Sequence, residues 1–249
     1  YGDYAVWQRQ APRQRAWDGQ IDYWRRTLGD DPPILQLPAD RPRSPDPTAS
    51  GAMEMFQVPP DLLAALQELS RAQGVTLYMT VLATFCTLLH RYSGQDDLIV
   101  GGVADTRRRP ETQRMMGYCI NSMALRSRPA PDLSFRDYLH QVRDVVIGAI
   151  ENSELPFGQL LQSLGIRSET GIAPIFQVMF TLDPPRARAL EGWDLIALQV
   201  PPHTAKYDLF TEITDTGDGT KTLRVVDSTP MAPGLGATMV VRGTARVAQ

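Results

Sequence analysis

Along the first 28 residues, Trp7, Trp17, Ile21, Trp24 and Leu28 recur at roughly helical spacing, which predicts one or two helices between Tyr4 and Leu28. Gly29 and the pair Pro32-Pro33 end the run. Residues 35–50 hold four prolines and no apolar period, the pattern of an extended surface connection inside one domain. Met53, Met55, Phe56 and Val58 then predict a short strand, and Pro60-Asp61 opens a helix with Leu62, Leu63, Leu66 and Leu69 that stops at Gly74. Thr76 is placed to cap a second helix, whose Leu77, Val81, Leu82, Phe85, Leu88 and Leu89 form an apolar face wide enough to be buried.

Gly94-Gln95-Asp96-Asp97 turns the chain into a strand at Leu98-Ile99-Val100, and another strand is predicted from Ile120 to Leu125. Ser134 with Asp137 has the spacing of a capping box before the helix of Phe135, Leu139, Val142, Val146 and Ile150, which runs to about Glu151. A shorter helix follows from Pro156 to Leu164. Strand patterns then occur at 175–182, 194–200, 207–214 and 222–226, separated by Asp183-Pro184-Pro185, Pro201-Pro202 and Gly217-Asp218-Gly219. Residues 233–247 read as a final helix weakened by Gly234, Gly236 and Gly243. Without strict βαβ alternation or an internal repeat, the pattern predicts an α/β or α+β sandwich with helices on a mixed sheet.

With 43% hydrophobic and 21% charged residues over 249 positions, the composition is globular. A formal charge of -3, from 25 basic and 28 acidic side chains, gives no reason to expect a nucleic-acid or anionic-membrane partner. The one basic cluster, Arg107-Arg108-Arg109, precedes Pro110 and Glu111 and reads as a solvated loop rather than a phosphate site. Cys86 and Cys119 sit in apolar surroundings without metal or redox spacing, so both are expected to be reduced and buried, as in cytoplasm. No apolar run approaches the roughly 20 residues of a spanning helix, and no cleavable leader is read. The start at Tyr1 rather than Met reads as a piece of a longer protein.

Three histidines are available for chemistry. His90 ends the apolar helix, where a histidine complements the helix dipole, and His203 lies in a Pro-rich loop without a partner nearby in sequence. His140 and Asp144 match a His-x-x-x-Asp pattern used by acyltransferases, but Val145 follows where Gly is usual. Both lie on one helix face, so an exposed i, i+4 pair is expected instead. No nucleophile elbow, phosphate-cradling loop, zinc helix or dinucleotide fingerprint is present.

Tyr1-Gly2-Asp3-Tyr4-Ala5-Val6-Trp7-Gln8-Arg9 is similar to the Tyr-x-Asp-Tyr-Ala-x-Trp motif of non-ribosomal peptide synthetase condensation domains. In order along the chain, Leu37 to Arg43, Tyr92 to Asp97, Gly117 to Ser122, Asn152 to Gly158, Pro174 to Phe180 and Ala205 to Leu209 resemble further segments of that family. The departures are Cys119 for Phe, Ile120 for Val, Ser122 for Thr, and Ser153, Glu154 and Gly158 for Gln and two acidic residues. Asp227 to Ala232 looks shortened.

The resemblance implies a chloramphenicol acetyltransferase-like lobe, with residues 1–50 as leading helices and a Pro-rich connection and 51–249 as the lobe proper. The family joins two such lobes around a tunnel. Donor and acceptor carrier proteins deliver phosphopantetheine arms into it, and an acceptor amine attacks the donor thioester. The histidine motif that orients or deprotonates the amine belongs to the N-terminal lobe, so this C-terminal lobe is expected to form one wall, to be inactive alone and to bind no cofactor directly. An adjacent adenylation domain is implied as a neighbour. Arg107 aligns with a family arginine that steadies the catalytic motif across the cleft, with an ordinary loop arginine as the alternative, and Asn121 and Ser122 are placed either to bond pantetheine amides or to serve structure. A non-catalytic carrier- or domain-docking module, and an epimerisation or heterocyclisation relative, remain alternatives.

Overall fold

In the computed structural model, which describes residues 1–10, 17–38, 51–167, 172–183, 205–215 and 221–227, six strands alternate irregularly with six α-helices. The strands are β1 (Ala52–Val58), β2 (Leu98–Asp105), β3 (Ile120–Ser127), β4 (Val178–Leu182), β5 (Leu209–Asp215) and β6 (Lys221–Asp227). The helices are α1 (Gly2–Gln8), α2 (Asp18–Leu28), α3 (Pro60–Ala72), α4 (Leu77–Ser93), α5 (Phe135–Glu151) and α6 (Phe157–Leu164). One sheet runs in the order β1-β6-β5-β4-β2-β3. β4 pairs parallel with β2 and β5 while the remaining pairs are antiparallel, so the expected mixed α/β sheet is present. The strand expected at 194–200, the helix at 233–247, His203, both Pro-rich punctuations after Asp183, Gly217-Asp218-Gly219 and most of the Leu37 to Arg43 segment lie outside the described residues.

Local signals fix several ends. Thr76 Oγ1 accepts the Met79 amide at 3.3 Å, and Gly94, with φ 70°, closes α4 by donating to His90 O at 2.8 Å. Ser134 accepts the Asp137 amide at 3.2 Å, but the Asp137 carboxylate takes the Ser134 hydroxyl instead of the backbone donor, so half of the expected box forms.

The strand predicted at 98–100 continues to Asp105, because Gly101 and Gly102 are demanded by space. A Cβ on Gly101 would lie 2.3 Å from the Phe176 ring, and one on Gly102 would lie 2.9 Å from both Leu125 and the Tyr78 hydroxyl. Adjacent strand residues face opposite sides, so the two glycines let side chains close down on both faces of the sheet. On the Gly102 face, Phe180 of β4 packs against Tyr78 and Phe85 of α4, with ring centroids 5.4 and 5.6 Å apart. The Tyr138 hydroxyl of α5 bonds Ser127 there. Burial pushes the neighbouring Cys86 thiol up to about 12, and both cysteines are buried and free.

The strand expected from 175 starts only at Val178. Ile175 adopts φ 69°, and Gln177 anchors the turn by accepting Leu35 N at 2.8 Å and donating to Ala173 O at 3.0 Å. α2 packs against α6 and is tied by a side chain to β3, an edge of the described sheet. Arg126 near the strand's end donates to Leu28 O at 2.6 Å, and Trp24 donates to Asn152 O at 2.9 Å near its start. Among the described residues no single helix is long and apolar enough to cross a membrane.

Arg126 also grips Asp97 with Nε and Nη2, at 2.8 and 2.6 Å. Burial alone would raise the Asp97 carboxyl, but the bonds and charges of Arg126 and Arg128 outweigh it and hold it below the usual carboxylate range. A folded value below the unfolded one gives stability that is complete above about pH 4 and disappears as pH falls through the folded value. Urea denaturation across pH should therefore show wild type and Asp97→Asn differing most near neutrality and converging below about pH 4. A gap that does not narrow at all as pH falls below about 4 contradicts the pairing. Gly101→Ala should lower stability by about 1–3 kcal/mol, measured by the same method, through overpacking against Phe176.

Candidate functional site

Asp105 and Ile120 face each other in register, so β2 ends where β3 begins, and the loop between them joins α1 to the segment after α5. The three consecutive arginines of this loop diverge. Arg107 donates from Nε to Met115 O at 3.1 Å and from Nη2 to Gly117 O at 3.4 Å, while its Nη1 lies 3.3 Å from the Asp105 carboxylate. Arg108 reaches Ile150 O and, at 2.9 Å, Ser153 Oγ. Arg109 stacks its guanidinium 4.5 Å from the centroid of the Trp7 ring. The loop is exposed at Arg108 and Arg109, as expected of a solvated segment, but its arginines are engaged: Arg107 bonds within the loop, Arg108 ties it to the end of α5 and the residues after it, and Arg109 ties it to the Trp7 ring of α1. A planar guanidinium with five donors suits carbonyl-rich chain ends of this kind.

Asn121 bonds neither its own strand nor open space. Its Nδ2 donates to Ser153 O at 2.9 Å and Leu155 O at 2.7 Å, and its Oδ1 accepts the Phe157 amide at 3.0 Å. Ser122 is half-buried, pairs with Val103 in register and so lies on the same sheet face as Gly101. Its hydroxyl has no hydrogen-bond partner among the described residues. The Phe157 ring packs on Phe176 at 5.4 Å, and Phe176 on Tyr207 at 5.8 Å. Three motif segments far apart in sequence, 117–122, 155–157 and 174–180, therefore meet at one place.

Tyr1 lies across Gly117, whose φ is 150° and where a Cβ would come 2.3 Å from the tyrosine ring. Around it Met116 is 90% and Tyr118 71% exposed, with Tyr1 and Ile120 also open to solvent. Tyr4, Trp7, Thr106, Arg109 and Glu154 line a shallow crevice alongside.

The two described histidines, His90 and His140, stay apart from this region. His90 Nδ1 lies 3.0 Å from Gln95 O and 3.2 Å from the Asp96 carboxylate, at the end of α4. The expected His140–Asp144 pair does not form: Arg143 takes the Asp144 carboxylate at 2.9 Å, since its longer side chain folds back onto its neighbour. No group of three or more metal-ligating side chains occurs among the described residues. Gln20, Trp24 and Arg108, which hold residues 152–155, carry no sequence signal that marks them as site residues. Their partners are 45 to 135 positions away, beyond the reach of any spacing rule.

A family model described as the condensation domain matches residues 1–224. A linear gramicidin synthase from Brevibacillus parabrevis is 39% identical over 223 residues, covering 88% of this chain and 4% of that protein. Phosphinothricin tripeptide synthetase PhsC of Streptomyces viridochromogenes is 36% identical over 227 residues, covering 86% of this chain and 20% of its own length. The condensation domain from Monacolin K polyketide synthase MokA superposes with a TM-score of 0.80 at 24% identity, over 92% of this chain and 56% of that one. The X-domain from teicoplanin biosynthesis gives 0.78 at 21%, over 93% and 55%. The chain thus spans a small part of these synthetases and slightly more than half of these solved domains.

A double-mutant cycle of Trp7→Ala and Arg109→Ala, read by urea denaturation, should give a coupling of about 0.5–1 kcal/mol. Zero coupling would mean that the stack does not tie α1 to the loop.

Proposed function

Because the chain belongs to the condensation-domain family, we propose that it furnishes the C-terminal lobe of a domain that forms amide bonds between carrier-bound aminoacyl or peptidyl groups in a non-ribosomal peptide synthetase. The observation that carries this reading is the convergence of the 117–122, 155–157 and 174–180 segments at one end of the sheet, in a chain whose family match extends over residues 1–224. The lobe supplies one wall of the tunnel into which donor and acceptor carrier proteins deliver their phosphopantetheine arms. Proton handling at the acceptor amine falls to the histidine motif of the N-terminal lobe. An adenylation domain is the expected neighbour, and two free buried thiols suit a reducing cytoplasm.

Within that wall, Arg107 and Ser122 are the residues left with capacity. Three of the five Arg107 N–H groups are engaged, leaving two to meet a carboxylate across the cleft. The Ser122 hydroxyl is available to a pantetheine amide.

Joining the chain to the N-terminal half of its domain and supplying loaded carrier proteins should yield an amide product detectable by mass spectrometry. The 249-residue chain alone should yield none, and His140→Ala should leave turnover of the joined protein intact. Amide synthesis by the isolated chain, or loss of turnover in the His140 variant, would contradict the proposal. Carrier binding without any product in the joined protein would favour a docking module.

A further inference from the structure

The N-cap residue of α6 is Pro156, which offers no side-chain cap, and the preceding residues 152–155 belong to no regular element. Four side chains from three separate parts of the chain hold this segment. Trp24 donates to Asn152 O at 2.9 Å, and Gln20 Oε1 accepts Leu155 N at 2.9 Å. Arg108 donates to Ser153 Oγ at 2.9 Å, and Asn121 makes its three bonds to Ser153, Leu155 and Phe157. An ordinary connection between two helices needs its ends satisfied. One fixed from α2, the β2–β3 loop and β3 together has its geometry over-determined, as a preorganised site requires.

We propose that Asn121 is a positioning residue. It holds residues 153–157 on the start of β3, seats the Phe157 ring on Phe176 and thereby shapes the tunnel wall, and it does not contact the pantetheine arm. Both Nδ2 hydrogens and one of the two Oδ1 lone pairs are committed within the chain, which leaves the amide no donor for a ligand. From β3, 36 residues away in sequence, it also supplies the cap that α6 lacks. The effect on the reaction rests on the tunnel-wall reading above, whereas the hold on the segment stands independently of it.

The test uses the joined two-lobe domain with loaded carriers and combines amide hydrogen exchange with steady-state kinetics. In Asn121→Ala, protection of the Phe157 amide should fall at least about tenfold while Val100 in the sheet keeps its protection. In the same variant kcat should drop by about 10- to 100-fold with KM for the acceptor carrier almost unchanged. Asn121→Asp keeps the acceptor for Phe157 and loses both donated bonds, so it should retain Phe157 protection and show an intermediate kcat. It also carries the test should the alanine variant fail to fold.

A raised KM with native Phe157 protection would mean direct contact with the arm and overturn the proposal. Unchanged exchange and kinetics would overturn it too, as would a loss of protection spread evenly over all strands. A joined wild-type protein that makes no amide would refute the functional reading, and the exchange data would still decide whether Asn121 holds the segment.

Discussion

Backbone groups at Ser153, Leu155 and Phe157 that no helix or strand satisfies need partners, and the site end of this fold is organised around meeting that need. Asn121 meets it with a single side chain, because a primary amide presents two donors and an acceptor in one plane. Arg108, Gln20 and Trp24 secure the flanking groups, so α2, β3 and the arginine loop are all drawn onto one short segment. That segment is the common attachment of α2, β3 and the loop, each of which bonds it independently.

The sheet supplies the platform for that arrangement. Gly101 and Gly102 admit Phe176 on one face and Tyr78 with Leu125 on the other, so β2 is closed in on both sides. Phe176 in turn carries Phe157, and the packing that stabilises the centre of the sheet also positions Phe157 at its end. Fold and site are linked through this one ring.

Features governed by near neighbours were legible in the sequence: the Thr76 cap, the Gly94 stop, the apolar faces of α4 and α5, and the strand starts at Leu98 and Ile120. Those that depend on distant partners were not. The extension of β2 through two glycines, which propensity alone penalises, is explained only by rings contributed from α4 and from the segment before β4. Arg107-Arg108-Arg109 reads as an exposed charge run, and the bonds it makes are not legible because two of its residues use the carbonyls of Met115, Gly117 and Ile150, which carry no signature in side-chain type. The family resemblance located Asn121, but only the fold revealed which groups its amide serves.

The central claim is that this chain forms a passive wall whose free surface, at Arg107 and Ser122, faces the carrier-borne arm while Asn121 is occupied behind it. A crystal structure of the joined domain with a pantetheinylated carrier tests it most directly. The account predicts an arm passing over the Gly101 face near Ser122, with the three Asn121 bonds intact. An arm hydrogen-bonded to Asn121, or one running along a different part of the lobe, would contradict it.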